Sequence, residues 1–60
     1  MSGTKVQLLR DSPKDQLQKG EVGRVVLAYP NGIVEVEFIG GDGKRKALLT
    51  LRPGEFRPMA

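Results

Sequence analysis

The sequence predicts an all-β fold, and two runs with the turns around them carry that expectation. The β-rich runs Val22–Tyr29 and Ile33–Ile39 flank the turn Pro30-Asn31-Gly32, and a second turn, Gly40-Gly41-Asp42-Gly43, follows at once. Asn-Gly and Asp-Gly tolerate positive φ, which tight hairpin turns require. The stretch Lys19–Gly43 therefore reads as the heart of an antiparallel meander.

The other elements follow in chain order. Residues 1–4 are expected to be a frayed tail ahead of a single domain at residues 5–58. Lys5–Leu9 is the first strand, with Val6 and Leu8 on one face. Arg10–Lys19 is polar and reads as a long loop with Leu17 as its inward anchor. A short helical turn at Pro13–Leu17 is compatible with it, since Ser12 suits a cap and proline the first helical position. In the second strand, alternation breaks at Val25-Val26-Leu27, and Gly23 suggests a bulge or sharp bend. The third strand alternates cleanly: Val34, Val36 and Phe38 inward, Ile33, Glu35, Glu37 and Ile39 outward. Lys44–Thr50 is the fourth strand, with Ala47 and Leu49 inward and Leu51 continuing that series. Arg52-Pro53-Gly54-Glu55 reads as a 3-10 turn, and Phe56-Arg57 as a minimal fifth strand. The expected core is Val6, Leu8, Val22, Val26, Val34, Val36, Phe38, Ala47, Leu49, Leu51 and Phe56. Five short strands, a long first loop, two tight hairpins and a 3-10 turn before the last strand describe a five-stranded SH3-like small barrel.

Composition narrows the function. A chain of 60 residues buries only about 60% of its unfolded surface, so its stability is marginal. It contains neither Cys nor His, which removes the usual disulfide and metal supports and the commonest nucleophile–base pairs. No cofactor and no enzymatic activity are expected. The N-terminus carries no long apolar segment of the signal-peptide kind and no run approaches a membrane span, so the expected location is the cytoplasm. The formal charge of +3 shifts the expectation only slightly toward an anionic partner.

The pattern G-E-V-G-R-V-V, then V-E-V-E-F, then D-G, then A-L-L-T-L resembles a family of small uncharacterised bacterial SH3-like proteins, over Val6 to Phe56. The resemblance implies the fold and, since some members are suspected partners encoded beside toxin-like genes, a partner role. Lys19-Gly20 followed by Val22-Gly23-Arg24-Val25 is similar to part of the KOW motif of ribosomal and transcription proteins, which implies contact with RNA or protein. Val34–Phe38 with Leu51–Phe56 is similar in layout to the ferredoxin-docking small subunit of the photosynthetic NDH complex.

Four groups of residues invite a functional reading. Glu35 and Glu37 share a face and have the form of a carboxylate pair for acid–base chemistry or a hard cation; equally, they suit cross-strand ion pairs with Arg24, Lys44 or Lys46. Lys44, Arg45 and Lys46 form a basic hairpin tip, either a phosphate contact or a solvated edge that resists strand-to-strand aggregation. The glycines match no phosphate-loop spacing and read as turns. Leu27, Ile33, Ile39 and Leu48, with Tyr29 and Pro30 beside them, are either a contact surface or half-covered by barrel curvature. The resulting expectation is a non-enzymatic protein-interaction module, a small accessory or partner subunit. Leu27, Ile33, Ile39 and Leu48 would dock and Arg24, Lys44 and Lys46 form the rim, against another protein or a second copy. The alternative is a KOW-like RNA-binding or ribosome-associated module that contacts phosphate through Lys44, Arg45 and Lys46.

Overall fold

A computed structural model describes residues 3–59. Five strands, β1 (Lys5–Leu8), β2 (Val22–Ala28), β3 (Val34–Ile39), β4 (Arg45–Leu51) and β5 (Phe56–Pro58), form one antiparallel sheet in the order β4-β3-β2-β1-β5. The described residues include no α-helix, and a single 3-10 turn spans Pro13–Asp15. Of the residues expected to be a frayed tail, 1 and 2 lie outside the described chain. The other two meet β2: Gly3 N–H donates to the Val25 carbonyl (2.8 Å) and Val25 N–H to the Thr4 carbonyl (2.9 Å).

Both hairpins are built alike. Pro30 and Asn31 form the centre of a turn closed by Gly32 N–H to the Tyr29 carbonyl (3.2 Å), and Gly32 then takes φ +87. Gly43 N–H likewise closes on the Gly40 carbonyl (3.0 Å), with φ +80 at Gly43. This is the three-residue hairpin loop, a turn followed by one left-handed residue. An Asx bond stabilises each: Ile33 N–H donates to Asn31 Oδ1 (3.2 Å) and Lys44 N–H to Asp42 Oδ1 (3.0 Å). Positive φ is thus needed at Gly32 and not at Asn31.

The only 3-10 turn among the described residues lies in the first loop, not before the last strand. Arg52-Pro53-Gly54-Glu55 closes through Glu55 N–H to the Arg52 carbonyl (3.0 Å), with Gly54 at φ +94. Proline second and positive φ third is a type II turn, whereas a 3-10 turn keeps φ negative throughout. In the first loop, Ser12 and Leu17 bridge backbone to backbone around Pro13–Asp15. Ser12 Oγ donates to Asp15 Oδ2 (2.7 Å) rather than capping a backbone N–H, and Leu17 is carried into the core.

The core is a single cluster: Val6, Leu8, Leu17, Val25, Val34, Val36, Phe38 and Leu51, with Ala47, Leu49 and Phe56 packed against it. It draws on every strand, including both edges, yet among the described residues no second layer covers the sheet. Five flat strands would separate the edges by roughly 19 Å. The four-residue turn from Leu51 to Phe56 joins one edge strand directly to the other, so the sheet curls around its own apolar face.

Two core expectations fail, both on β2. Val22 and Val26 are exposed, and Val25 is fully buried instead. The inward positions of β2 are Gly23 and Val25. The register then shifts between Val25 and Leu27, leaving Val26 as the extra residue of the bulge. Gly23 faces inward because no side chain fits there: a β-carbon on it would lie 2.5 Å from Val36 Cγ1 and 2.9 Å from both the Glu37 carbonyl oxygen and Phe38 Cε2. Gly23 therefore marks a close approach of strands, and the bulge lies three residues further on.

Gly32→Val should destabilise the domain by about 1–3 kcal/mol. It forces a β-branched residue to φ +87 and sets its β-carbon 3.1 Å from Pro53 Cγ. Urea denaturation measures the loss; a change below about 0.5 kcal/mol would contradict the turn geometry.

Candidate interaction surface

The face of the sheet turned away from the core is ordered by strand register. One row runs Lys5, Arg24, Glu37, Leu48 across β1 to β4. The next runs Leu27, Glu35, Thr50. Ile39 lies opposite Arg45 at the end of β3, where Lys46 is the extra residue of a second bulge. Extending the Arg24–Glu37 register by two residues places Val22 opposite Ile39.

The four apolar residues expected to dock fall into two pairs. Ile33 and Ile39 are six strand residues apart, roughly 20 Å. Leu27 and Ile33 belong to the Asn31 end of the sheet. There Tyr29, Pro30, Asn31, Ile33, Glu35 and Thr50 line a shallow open depression. Ile39 and Leu48 belong to the other end, diagonal neighbours on β3 and β4. Val22 joins them; assigning it to the core hid it from the sequence reading, although counting alternation from Arg24 rather than across Gly23 turns it outward. Val22, Ile39 and Leu48 are 44%, 50% and 45% exposed.

The charges on this face are largely spoken for. Glu37 lies between Arg45 Nε at 2.9 Å and Arg24 Nη2 at 3.6 Å. Glu35 accepts the Tyr29 hydroxyl (2.8 Å) and the Thr50 hydroxyl (3.1 Å), and the Glu35 bond raises the Tyr29 pKa because it favours the protonated phenol. Lys46 reaches Glu21 at 3.2 Å. Of the basic tip, Arg45 and Lys46 are thus in ion pairs and Lys44 is in none among the described residues. The two carboxylates sit in the cross-strand arrangement, with Arg24 and Arg45 as the partners of Glu37 and hydroxyls as those of Glu35. Among the described residues no group of three or more Asp or Glu is placed to hold a metal.

Two further carboxylates hold loops: Glu21 ties the first loop to β4, and Glu55 ties the Arg52–Glu55 turn to the first loop. Glu21 Oε2 accepts the Gln18 N–H (2.8 Å) while Oε1 takes Lys46, and these bonds lower its pKa, the backbone one most. Glu55 Oε1 accepts the Arg52 N–H (2.8 Å) and Oε2 meets Arg10 at 3.3 Å, with the same consequence and the same leading cause.

Residues 5–58 match the domain of unknown function DUF4926, so the chain belongs to that family. No curated protein and no solved structure matches it significantly.

The two lowered carboxylates give a pH dependence with a definite sign. A carboxylate held below its ordinary value of 4.5 stabilises the fold above that value and loses the contribution as pH falls through its lower folded-state pKa. Thermal melts should therefore hold steady toward neutrality and decline below pH 4.5. The Glu21→Gln, Glu55→Gln double variant should start lower and decline less steeply. Parallel curves for parent and variant would show that these bonds contribute nothing in solution.

Proposed function

We propose that this DUF4926 domain is a non-enzymatic protein-interaction module, a small cytoplasmic accessory or partner subunit that docks through the outer face of its sheet. We read the curled sheet as an SH3-like barrel left open between β4 and β5. The observation that carries the reading is the exposed group Val22, Ile39 and Leu48 on three consecutive strands. A domain that has so few large apolar residues gains nothing in folding from leaving three of them at the surface. Arg24 and the paired Arg45 and Lys46 frame the group. Framing charges steer encounter and register more than they add affinity. The absence of Cys and His from the chain and the prior engagement of Glu35 and Glu37 favour contact over catalysis. The same engagement of Arg45 and Lys46 leaves Lys44 as the one cation of the tip in no ion pair among the described residues, and we rank a phosphate-binding role second.

The test compares the parent with an Ile39→Ser, Leu48→Ser variant by affinity capture from the native cell and by sedimentation. Both side chains are outside the core, so melting should be little changed. The variant should lose a partner, or dimer mass, that the parent retains in elevated salt. An unchanged set of partners and unchanged mass would overturn the reading. Capture of RNA that falls steeply with salt would put the nucleic-acid alternative ahead.

A further inference from the structure

The two edges of the sheet are not equally protected. A free edge presents unpaired backbone N–H and C=O groups, and proteins blunt it by shortness, proline, charge or a bulge. β5 has three residues and ends in Pro58. β4 has seven, and its bulge and its charged residues, Arg45 and Lys46, all lie in its first two positions. From Ala47 to Thr50 the edge is regular, uncharged and free of proline. Apart from the β3 ladder, no backbone hydrogen bond is made to these four residues by any described residue.

A second observation concerns the inner row. Ala47 and Leu49 pair with Phe38 and Val36, which are fully buried, and so point to the same side. Both nevertheless stay only partly buried, and no described strand pairs with β4 on its far side. A strand added there would satisfy the backbone groups and, through alternate side chains, cover this row.

Charge selects the occupant. Lys44 precedes this edge and Arg52 follows it, and neither is in an ion pair among the described residues. A second copy pairing antiparallel about Leu48, the centre of β4, would set Lys44 against Arg52 at both ends, a repulsive arrangement. An extended peptide with carboxylates at its ends has the opposite sign. We infer that the free edge of β4 accepts an extended acidic segment of another protein as a sixth strand, with apolar residues alternating over Ala47 and Leu49 and carboxylates meeting Lys44 and Arg52. The inference rests on the docking reading above and adds to it a separate surface and the chemistry of the partner.

The probe is a capped heptapeptide of alternating valine and threonine with glutamate at both ends, beside the same peptide ending in lysines. Titrated into isotope-labelled protein, the acidic peptide should shift the backbone amides of β4 and slow their exchange. It should bind about tenfold more tightly than the lysine peptide, and a Lys44→Gln, Arg52→Gln variant should abolish the difference. Shifts confined to β5 or to the outer-face side chains, equal binding of both peptides, or no shift at millimolar peptide would each overturn the inference. So would a dimer in sedimentation whose β4 amides are already protected, which assigns the edge to a second copy. The Ile39→Ser, Leu48→Ser variant separates the two readings. It leaves the β4 backbone intact, so peptide binding that survives it while no partner is lost supports the edge and refutes the face, and partner loss without peptide binding does the reverse.

Discussion

The close approach of β2 to β3 at Gly23 is the constraint on which the rest of the domain depends. An inward-facing position on a central strand normally supplies a core side chain. Here it supplies none, and Val36 and Phe38 of the neighbouring strand occupy the space. Phe38 is the largest fully buried side chain among the described residues, and the small core of so short a chain has room for it only because one position opposite is empty. Close-packed interiors tolerate neither a void nor an extra methyl group at such a point.

The outer face follows from that choice. With Gly23 and Val25 inward, Val22 and Arg24 turn outward, and Arg24 meets Glu37 across the ladder. The bulge at Val26 then lets the strand resume pairing at Leu27 with Glu35. A one-residue slip would exchange the two faces entirely. The apolar group at one end and the Tyr29–Glu35–Thr50 hydrogen bonds at the other are therefore consequences of one register. The curl of the sheet, closed by the type II turn at Arg52–Glu55, leaves β4 and β5 as its two edges.

Where sequence and structure agree, the physics is local. β3 was readable residue by residue, because strict alternation over Val34–Phe38 has one interpretation. The hairpin turns were readable because Asn-Gly and Asp-Gly act within four residues, and Leu17 because a lone apolar residue in a polar loop has to go somewhere. β2 was not readable. Glycine carries no hydrophobic signal, so an inward glycine is indistinguishable from a bulge, and three consecutive apolar residues at Val25–Leu27 do not say which one is extra. The turn at Pro53-Gly54 was misassigned because proline suits both turn classes and only the φ of Gly54 decides. Of the candidate surface, Ile39 and Leu48 were identified and Val22 was missed for the same reason that β2 was. Arg24 was named as a cross-strand partner and does meet Glu37; Arg45 was beyond reach, since whether Glu37 also meets Arg45 or a lysine depends on a bulge at Lys46 that no spacing reveals.

A double-mutant cycle between Gly23→Ala and Val36→Ala tests the central claim most directly. By itself a glycine-to-alanine change in a strand gains about 0.5–1 kcal/mol. At this position it should instead destabilise by about 1–3 kcal/mol through overpacking. In the Val36→Ala background, where Cγ1 is gone, the cost of Gly23→Ala should fall by more than about 0.5 kcal/mol, the threshold for genuine coupling. A Gly23→Ala variant as stable as the parent, or strictly additive costs across the cycle, would mean that the strands do not meet at Gly23.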